Sequence, residues 1–288
     1  MPLRTHPIRV RVPATTANLG AGFDTLGIAL NLYNTIELGE SSESWPDPFL
    51  ADAAALFYQT TGLTSQAHQI QISGDVPRSR GLGSSVTVRL GLLAALDARH
   101  EVGMSRNDLF RLVNDLEGHP DNVAPACFGG FVASAPGHYQ RFPVKESLAF
   151  ITWIPSFQSE TEASRRALPT MVSRIDCVHA LQHTALITAA FASQDYSQLR
   201  GLFDDRLHEP HRLPGIPGAE RVRQAALSAG ALGVFLSGAG PSLIALAQDH
   251  QAAIADAMRE ASKTCTASAD SPYEVALLQA CNDGYSMA

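Results

Sequence analysis

Lysine is almost missing from this chain: Lys145 and Lys263 are the only two in 288 residues. Neither lies near a glycine-rich loop. A phosphate loop of the G-x-x-x-x-G-K-[ST] kind, which needs its lysine at the β- and γ-phosphates, is therefore excluded. Cysteine is sparse too. Cys127, Cys177, Cys265 and Cys281 are scattered without a C-x-x-C pair, a pattern of reduced, mostly buried thiols in a cytoplasmic protein rather than a disulfide frame or zinc site. No apolar run reaches the roughly 18 residues of a membrane span. The opening residues, Met1 to His6, carry no apolar stretch of a secretory signal. Positive charge is in deficit: a net charge of −7 argues against nucleic acid or an anionic membrane as partner. A polyphosphate ligand would need local provision.

What is present reads as an ordinary globular protein. At 45% hydrophobic and 17% charged residues, the chain can bury one large or two medium cores. Ile8, Val10 and Val12 alternate with Arg9 and Arg11, a half-buried strand ended by Pro13. Leu26 to Leu38 is again strand-like, residues 41–50 form a loop, and Gln69–Ile72 is a short strand. A helix follows over Val86–Leu96, and a second starts at Ser105 with Asp108 as capping-box partner. Leu109, Leu112, Val113 and Leu116 form its core face, and Gly118 ends it. A strand at Phe150–Ile154 reopens the pattern, which places a domain boundary near 148/149. Helices near 159–168, 176–193 and 217–229, strands at Gly233–Leu236 and Ser242–Ala247, a helix from about 249 and a strand at Glu274–Leu278 complete an α+β chain without internal repeats.

The strongest chemical signal is Pro77-Arg78-Ser79-Arg80-Gly81-Leu82-Gly83-Ser84-Ser85 before the first helix. Glycines let backbone approach an anion closely. The free N–H groups and dipole of the following helix start then favour negative charge, with no lysine required. A serine hydroxyl can meet a phosphate or ligate Mg²⁺. Arg89, one turn further on, is expected to face water, and the β-branched Val86, Thr87 and Val88 lower helix propensity modestly.

The loop resembles the P-x-x-x-G-L-G-S-S loop of the GHMP kinase superfamily. Pro13-Ala14-Thr15-Thr16-Ala17-Asn18-Leu19-Gly20-Ala21-Gly22-Phe23-Asp24 through Gly27 is similar to the first motif of the homoserine kinase family within it. Glu117-Gly118-His119-Pro120-Asp121-Asn122, with Gly129-Gly130, is similar to that family's third motif. Ser237-Gly238-Ala239-Gly240-Pro241-Ser242 is similar to its C-terminal glycine-rich motif. Four motifs in family order span most of the chain.

The resemblance implies an N-terminal domain like the second domain of ribosomal protein S5 (1–148) and a ferredoxin-like C-terminal domain (149–288), with the site between them. It places ATP phosphates on residues 77–87, that is Pro77, Arg78, Ser79, Arg80, Gly81, Leu82, Gly83, Ser84, Ser85, Val86 and Thr87. It places Mg²⁺ on Glu117 with Ser84 or Ser85. Homoserine, a zwitterion with a hydroxyl, needs cations, an anion and a positioning group. Arg165, one turn after Thr161 on a helix opened by a Ser159–Glu162 capping box, and Arg212, in Glu209-Pro210-His211-Arg212, would bind its carboxylate bidentately. Asp24 would take the ammonium. Asn18, His119 and Asn122 would line the hydroxyl end, with Asn122, Glu117 and Asn18 serving catalysis. An amide is no general base at neutral pH, so Asn122 is expected to orient the hydroxyl. A GHMP kinase for a shikimate-, mevalonate- or sugar-type alcohol, and a non-catalytic sensor of this fold, are the alternatives, and a homodimer is left open. A Rossmann dehydrogenase is a weaker alternative still, because Gly81-x-Gly83 has no third glycine.

Overall fold

Pro13 does not end the first strand. A computed structural model describes residues 6–159, 161–263 and 273–288, and in it β1 runs over Ile8–Ala17, antiparallel to β2, Leu26–Ser42. The register slips between Pro13 and Ala14, whose partners are Tyr33 and Leu30. A proline is tolerated at such an irregularity because no ladder bond needs its missing N–H. Beyond it Ala14–Ala17 are buried, which carries Thr15 and Thr16 into the site.

The segment expected as a loop ends in a helix. Asp47 accepts from the Phe49 N–H and Pro48 takes the first turn, so α1 spans Pro48–Thr61. Then come β3, Ala67–Gly74, on the second half of β2, and the largely buried α2, Ser84–His100. In α3, Arg106–Glu117, the Ser105–Asp108 capping box forms both of its bonds and Gly118 closes the helix. The short α4, Pro120–Phe128, is a further helix that the sequence reading does not include; Pro120 opens it and Pro125 stands inside it. A hairpin also missed by periodicity, β4 at Phe131–Ala135 and β5 at His138–Phe142, turns at Pro136-Gly137.

The second half holds β6 (Ala149–Pro155), α5 (Thr161–Arg166), α6 (Arg174–Ser193), α7 (Glu209–Arg212) and α8 (Ala219–Ser228). It continues with β7 (Gly233–Leu236), β8 (Leu243–Ala247), α9 (Gln251–Lys263), β9 (Tyr273–Leu278) and β10 (Ser286–Met287). The first sheet has the order β10-β1-β2-β4-β5, with β3 on the far half of β2, and the second is β7-β8-β6-β9. Ser159 does not make the expected capping box; its hydroxyl lies 2.9 Å from that of Ser164, and Glu162 pairs with Arg166. Cys127 and Cys281 are buried, Cys177 is exposed, and Cys265 lies outside the described residues. Among the described residues no helix is long and apolar enough to cross a membrane.

Among the described residues, three apolar clusters hold this arrangement. One packs α1, α2 and α3 on the first sheet, and another packs α8 and α9 on the second. The middle one joins the halves, bringing Leu19, Leu26 and Phe131 against Phe150, Phe191 and Phe235. Phe131 and Phe191 stack with ring centroids 4.2 Å apart, and burial of each such side chain contributes roughly 1.5–3 kcal/mol. The seam between the halves is thereby set by packing. The site lies along it.

Candidate active site

The glycine-rich loop is wedged between β1 and the turn after β7. Gly83 adopts φ +67°, and a Cβ there would stand 2.0 Å from Thr15 Oγ1; only glycine fits. The Thr15 N–H donates to the Leu82 carbonyl at 3.2 Å, and Ser237 Oγ donates to the Gly81 carbonyl at 2.6 Å. In α2 the first N–H to find an intrahelical acceptor is that of Thr87, on Gly83. The N–H groups of Ser84, Ser85 and Val86 have no acceptor among the described residues. These are the orphan donors of a helix start. They border a cavity of about 330 Å³ lined by residues 78–86, Glu117, His119, Asp121, Asn122 and Gly238.

Not every residue assigned to the phosphates reaches this cavity. Pro77 and Thr87 are not in its lining. Thr87 is turned inward, its hydroxyl donating to the Ser84 carbonyl at 2.7 Å and accepting from Asn34 Nδ2 at 2.8 Å. Arg80 also has other employment. Its Nε donates to the Pro155 carbonyl at 2.8 Å and its Nη2 to that of Ser156, tying the loop to the end of β6. Arg78 is exposed and keeps its guanidinium without a partner among the described residues.

Glu117 stands at the cavity wall. Ser85 Oγ donates to its Oε2 at 2.9 Å, and Arg89 Nη1 donates to its Oε1 at 2.9 Å. Arg89 does not face water: it also donates to the Leu116 carbonyl at 2.8 Å and lies 4.2 Å over the Phe49 ring. A partly buried carboxylate at the end of α3 draws the guanidinium inward, and the long stem lies along apolar surface. Beside it, Thr15 Oγ1 donates to Asn122 Oδ1 at 2.7 Å, which fixes the amide with its NH₂ end away from β1. Asp121 is buried, accepts the Asn122 N–H at 2.9 Å, and is pushed up to about 7 by burial and then by the charge of Asp24. His119 opens α4 without a side-chain cap bond and lines the cavity.

A second cluster lies across Gly238. Asn18, at φ +74°, donates from Nδ2 to the Gly238 carbonyl at 3.0 Å and accepts the Asp24 N–H at 3.0 Å. Arg165 binds Asp24 bidentately, at 3.0 and 2.8 Å. Arg212 is buried and donates from Nη1 to the Gly238 carbonyl at 3.2 Å and from Nε to the Ser164 carbonyl at 3.3 Å. Both guanidinium groups sit over the Phe23 ring, 5.4 and 5.3 Å from its centroid. Burial, then the charge of Arg165, pulls the Arg212 pKa below its ordinary value. Thr161 opens α5, and its side chain lies outside the described structure.

Residues 49–130 match the family model for the GHMP kinases N terminal domain, and residues 187–264 match that for the GHMP kinases C terminal domain. The chain is 38% identical to the homoserine kinase of Clostridium beijerinckii, over 88% of this chain and 90% of that one. The chain belongs to the homoserine kinase family of the GHMP kinases. It is also 33% identical to the Aquifex aeolicus homoserine kinase over 96% of this chain and 98% of the relative. The crystal structure of the Cytophaga hutchinsonii homoserine kinase superposes with a TM-score of 0.88 at 26% identity, covering 100% of this chain and 99% of that one. The α+β architecture is thus that of the GHMP kinases, as the four motifs imply.

As a homoserine kinase family member, the chain holds site residues that pattern reading passed over. Asp121 sits inside the third motif beside Asn122, and its carboxylate type was signal enough. Thr15 and Phe23 lie inside the first motif. His208 precedes the E-P-x-R segment and carries no periodic signature. Its relevance appears only where the fold places Gly20 against it.

Proposed function

We propose that the protein transfers the γ-phosphoryl group of ATP to the side-chain hydroxyl of L-homoserine, giving O-phospho-L-homoserine, in the cytoplasm and as a step of threonine biosynthesis. One observation carries the reading. Orphan N–H groups at the tip of α2 and a paired-guanidinium cluster with Asp24 lie on either side of one carbonyl, that of Gly238.

In this reading the nucleotide belongs to the domain of residues 1–148 and the amino-acid clamp draws on 149–288. The ATP phosphates rest on Arg78, Ser79 and residues 81–86, with Arg80 anchoring the loop. Arg165 and Arg212 hold the substrate carboxylate, Asp24 takes the ammonium, and Asn18 and His119 line the hydroxyl end. Asn122 is held by Thr15 at its Oδ1 and donates one amide N–H to Asp121 Oδ1 at 3.4 Å, which leaves the second for the hydroxyl. The donor set suits Mg²⁺, which takes one or two carboxylates and otherwise phosphate and water oxygens. Glu117 with the hydroxyls of Ser84 and Ser85 would hold it, and it would neutralise charge on the phosphates. Phosphoryl transfer passes through a loose transition state, so positioning and charge supply most of the rate. The hydroxyl proton leaves late, to phosphate or solvent.

Coupled ADP release with homoserine, threonine, shikimate, mevalonate and galactose as acceptors tests the assignment. Homoserine should give the highest kcat/KM. A preference for any of the three non-amino-acid alcohols would overturn it.

A further inference from the structure

Arg212 is in contact with a buried residue that touches neither substrate nor nucleotide in the reading above. His208 opens α7 with its side chain fully buried. Its Nε2 lies 3.0 Å from the Gly20 carbonyl and its Nδ1 lies 3.3 Å from Arg212 Nη1. A carbonyl can only accept and a guanidinium can only donate. Those two partners therefore dictate one tautomer, a neutral imidazole protonated at Nε2 with the Nδ1 lone pair turned to Arg212. Burial agrees, holding the His208 pKa down at about 4. The ring is clamped further by Phe23, stacked at 5.2 Å. Asp205 fixes the backbone beneath it by accepting the N–H groups of His208 and Glu209 at 2.8 and 2.7 Å.

Counting acceptors shows what this does. Arg212 Nε is spent on Ser164, and Nη1 on Gly238 and His208, whereas Nη2 has no acceptor among the described residues. A planar guanidinium held on two nitrogens has its third direction fixed. We propose that His208 is a positioning residue, whose neutral imidazole sets the plane of Arg212 so that Nη2 is presented to the substrate carboxylate. The same ring ties the Gly20 turn to α7, joining the loop that carries Asp24 to the helix that carries Arg212. The inference rests on the assignment of Arg212 to the homoserine carboxylate.

Two replacements separate its two bonds. In His208→Gln the terminal amide reaches the Nε2 position and retains Gly20 while losing Arg212. In His208→Asn the shorter amide falls at the Nδ1 position and retains Arg212 while losing Gly20. Positioning predicts that His208→Gln raises the homoserine KM about tenfold or more, with kcat and the ATP KM nearly unchanged, and that His208→Asn recovers most of that loss. Equal KM values in the two variants, or a smaller effect in Gln than in Asn, would overturn the proposal. Arg212→Ala separates the levels. If it leaves the homoserine KM unchanged, the carboxylate assignment falls and this inference with it. If it raises KM while His208→Gln does not, only the role of His208 falls. A measurement on the unmodified chain guards against variants that fail to fold. Long-range ¹H–¹⁵N spectra should show His208 as the Nε2–H tautomer, with an Nδ1 resonance that shifts in Arg212→Ala. A proton on Nδ1 would be fatal to the idea.

Discussion

Arg165 grips both carboxylate oxygens of Asp24, at 3.0 and 2.8 Å. Motif reading assigns the two to opposite ends of a zwitterion, and the fold makes them each other's partner. A bidentate pair of this kind can exchange its contacts for the ammonium and carboxylate of an amino acid with little change in net charge. Both side chains are about one-third exposed, 37% and 32%, so water screens the pair and its loss should cost the fold about 1 kcal/mol or less.

Arg165→Ala should therefore change Tm by only a few degrees. The homoserine KM should rise by roughly 10–100-fold, with the ATP KM unaffected. Steady-state kinetics varying each substrate in turn would show it, and an unchanged homoserine KM would remove Arg165 from the carboxylate.

The Thr15–Asn122 bond predicts a linked pair of kcat effects. Thr15→Val keeps the buried shape but leaves the Asn122 carbonyl oxygen without its donor, an omission of about 1–3 kcal/mol. We expect kcat to fall roughly tenfold in Thr15→Val and further in Asn122→Ala. Full turnover of Asn122→Ala at saturating substrates would show that the amide does not position the hydroxyl.

Glu117 has Ser85 and Arg89 as neighbours, and Glu117→Gln keeps the shape while removing the anion. The Mg²⁺ concentration for half-maximal rate should rise roughly tenfold or more. A superimposable Mg²⁺ titration would dismiss Glu117 as a ligand.

Two arginines of one loop should respond in different ways. Arg78 is exposed and without a partner among the described residues. Arg78→Ala should raise the ATP KM a few-fold, about 1 kcal/mol, and leave Tm alone. Arg80 donates to the Pro155 and Ser156 carbonyls, so Arg80→Ala should lower Tm. If instead Arg80→Ala raised only the ATP KM, its place would be on the phosphates.

Asp121 predicts a pH effect. Its folded pKa of about 7 exceeds the ordinary 3.8. Between roughly pH 4 and pH 7 the folded form holds a proton that the unfolded chain has released, so this group's contribution to stability declines as pH rises through that window. Asp121→Asn removes the decline. The Tm difference, variant minus parent, should become more positive from pH 4.5 to pH 7.5. Glu209, pushed up to about 7 by burial, keeps its own part of the slope in both proteins. A pH-independent Tm difference would contradict the account.

Much of the site was legible because its chemistry is local in the chain. The loop through Gly81 and Gly83 and the α3 capping box depend on neighbours a few residues apart, and both appear where the spacing predicts. The orphan N–H groups at the start of α2 follow from the same short-range geometry. The misreadings share a cause. Pro13 reads locally as a strand end, yet a register slip absorbs it, and the short α4 around Pro125 carries no periodic signature of its own. Arg89 was read as solvated because nothing nearby in sequence shows that Phe49 and Glu117 converge on it.

By itself the sequence determined which groups are available: a lysine-free glycine-rich loop before a helix, the Glu117 carboxylate, two arginines and an aspartate. Tertiary structure alone decided their pairing. The Asp24–Arg165 clasp spans 141 residues of chain and the His208–Gly20 bond spans 188. Contacts of that separation are set by how two sheets pack across a shared apolar seam, and no pattern along the chain encodes the distance between side chains that meet there.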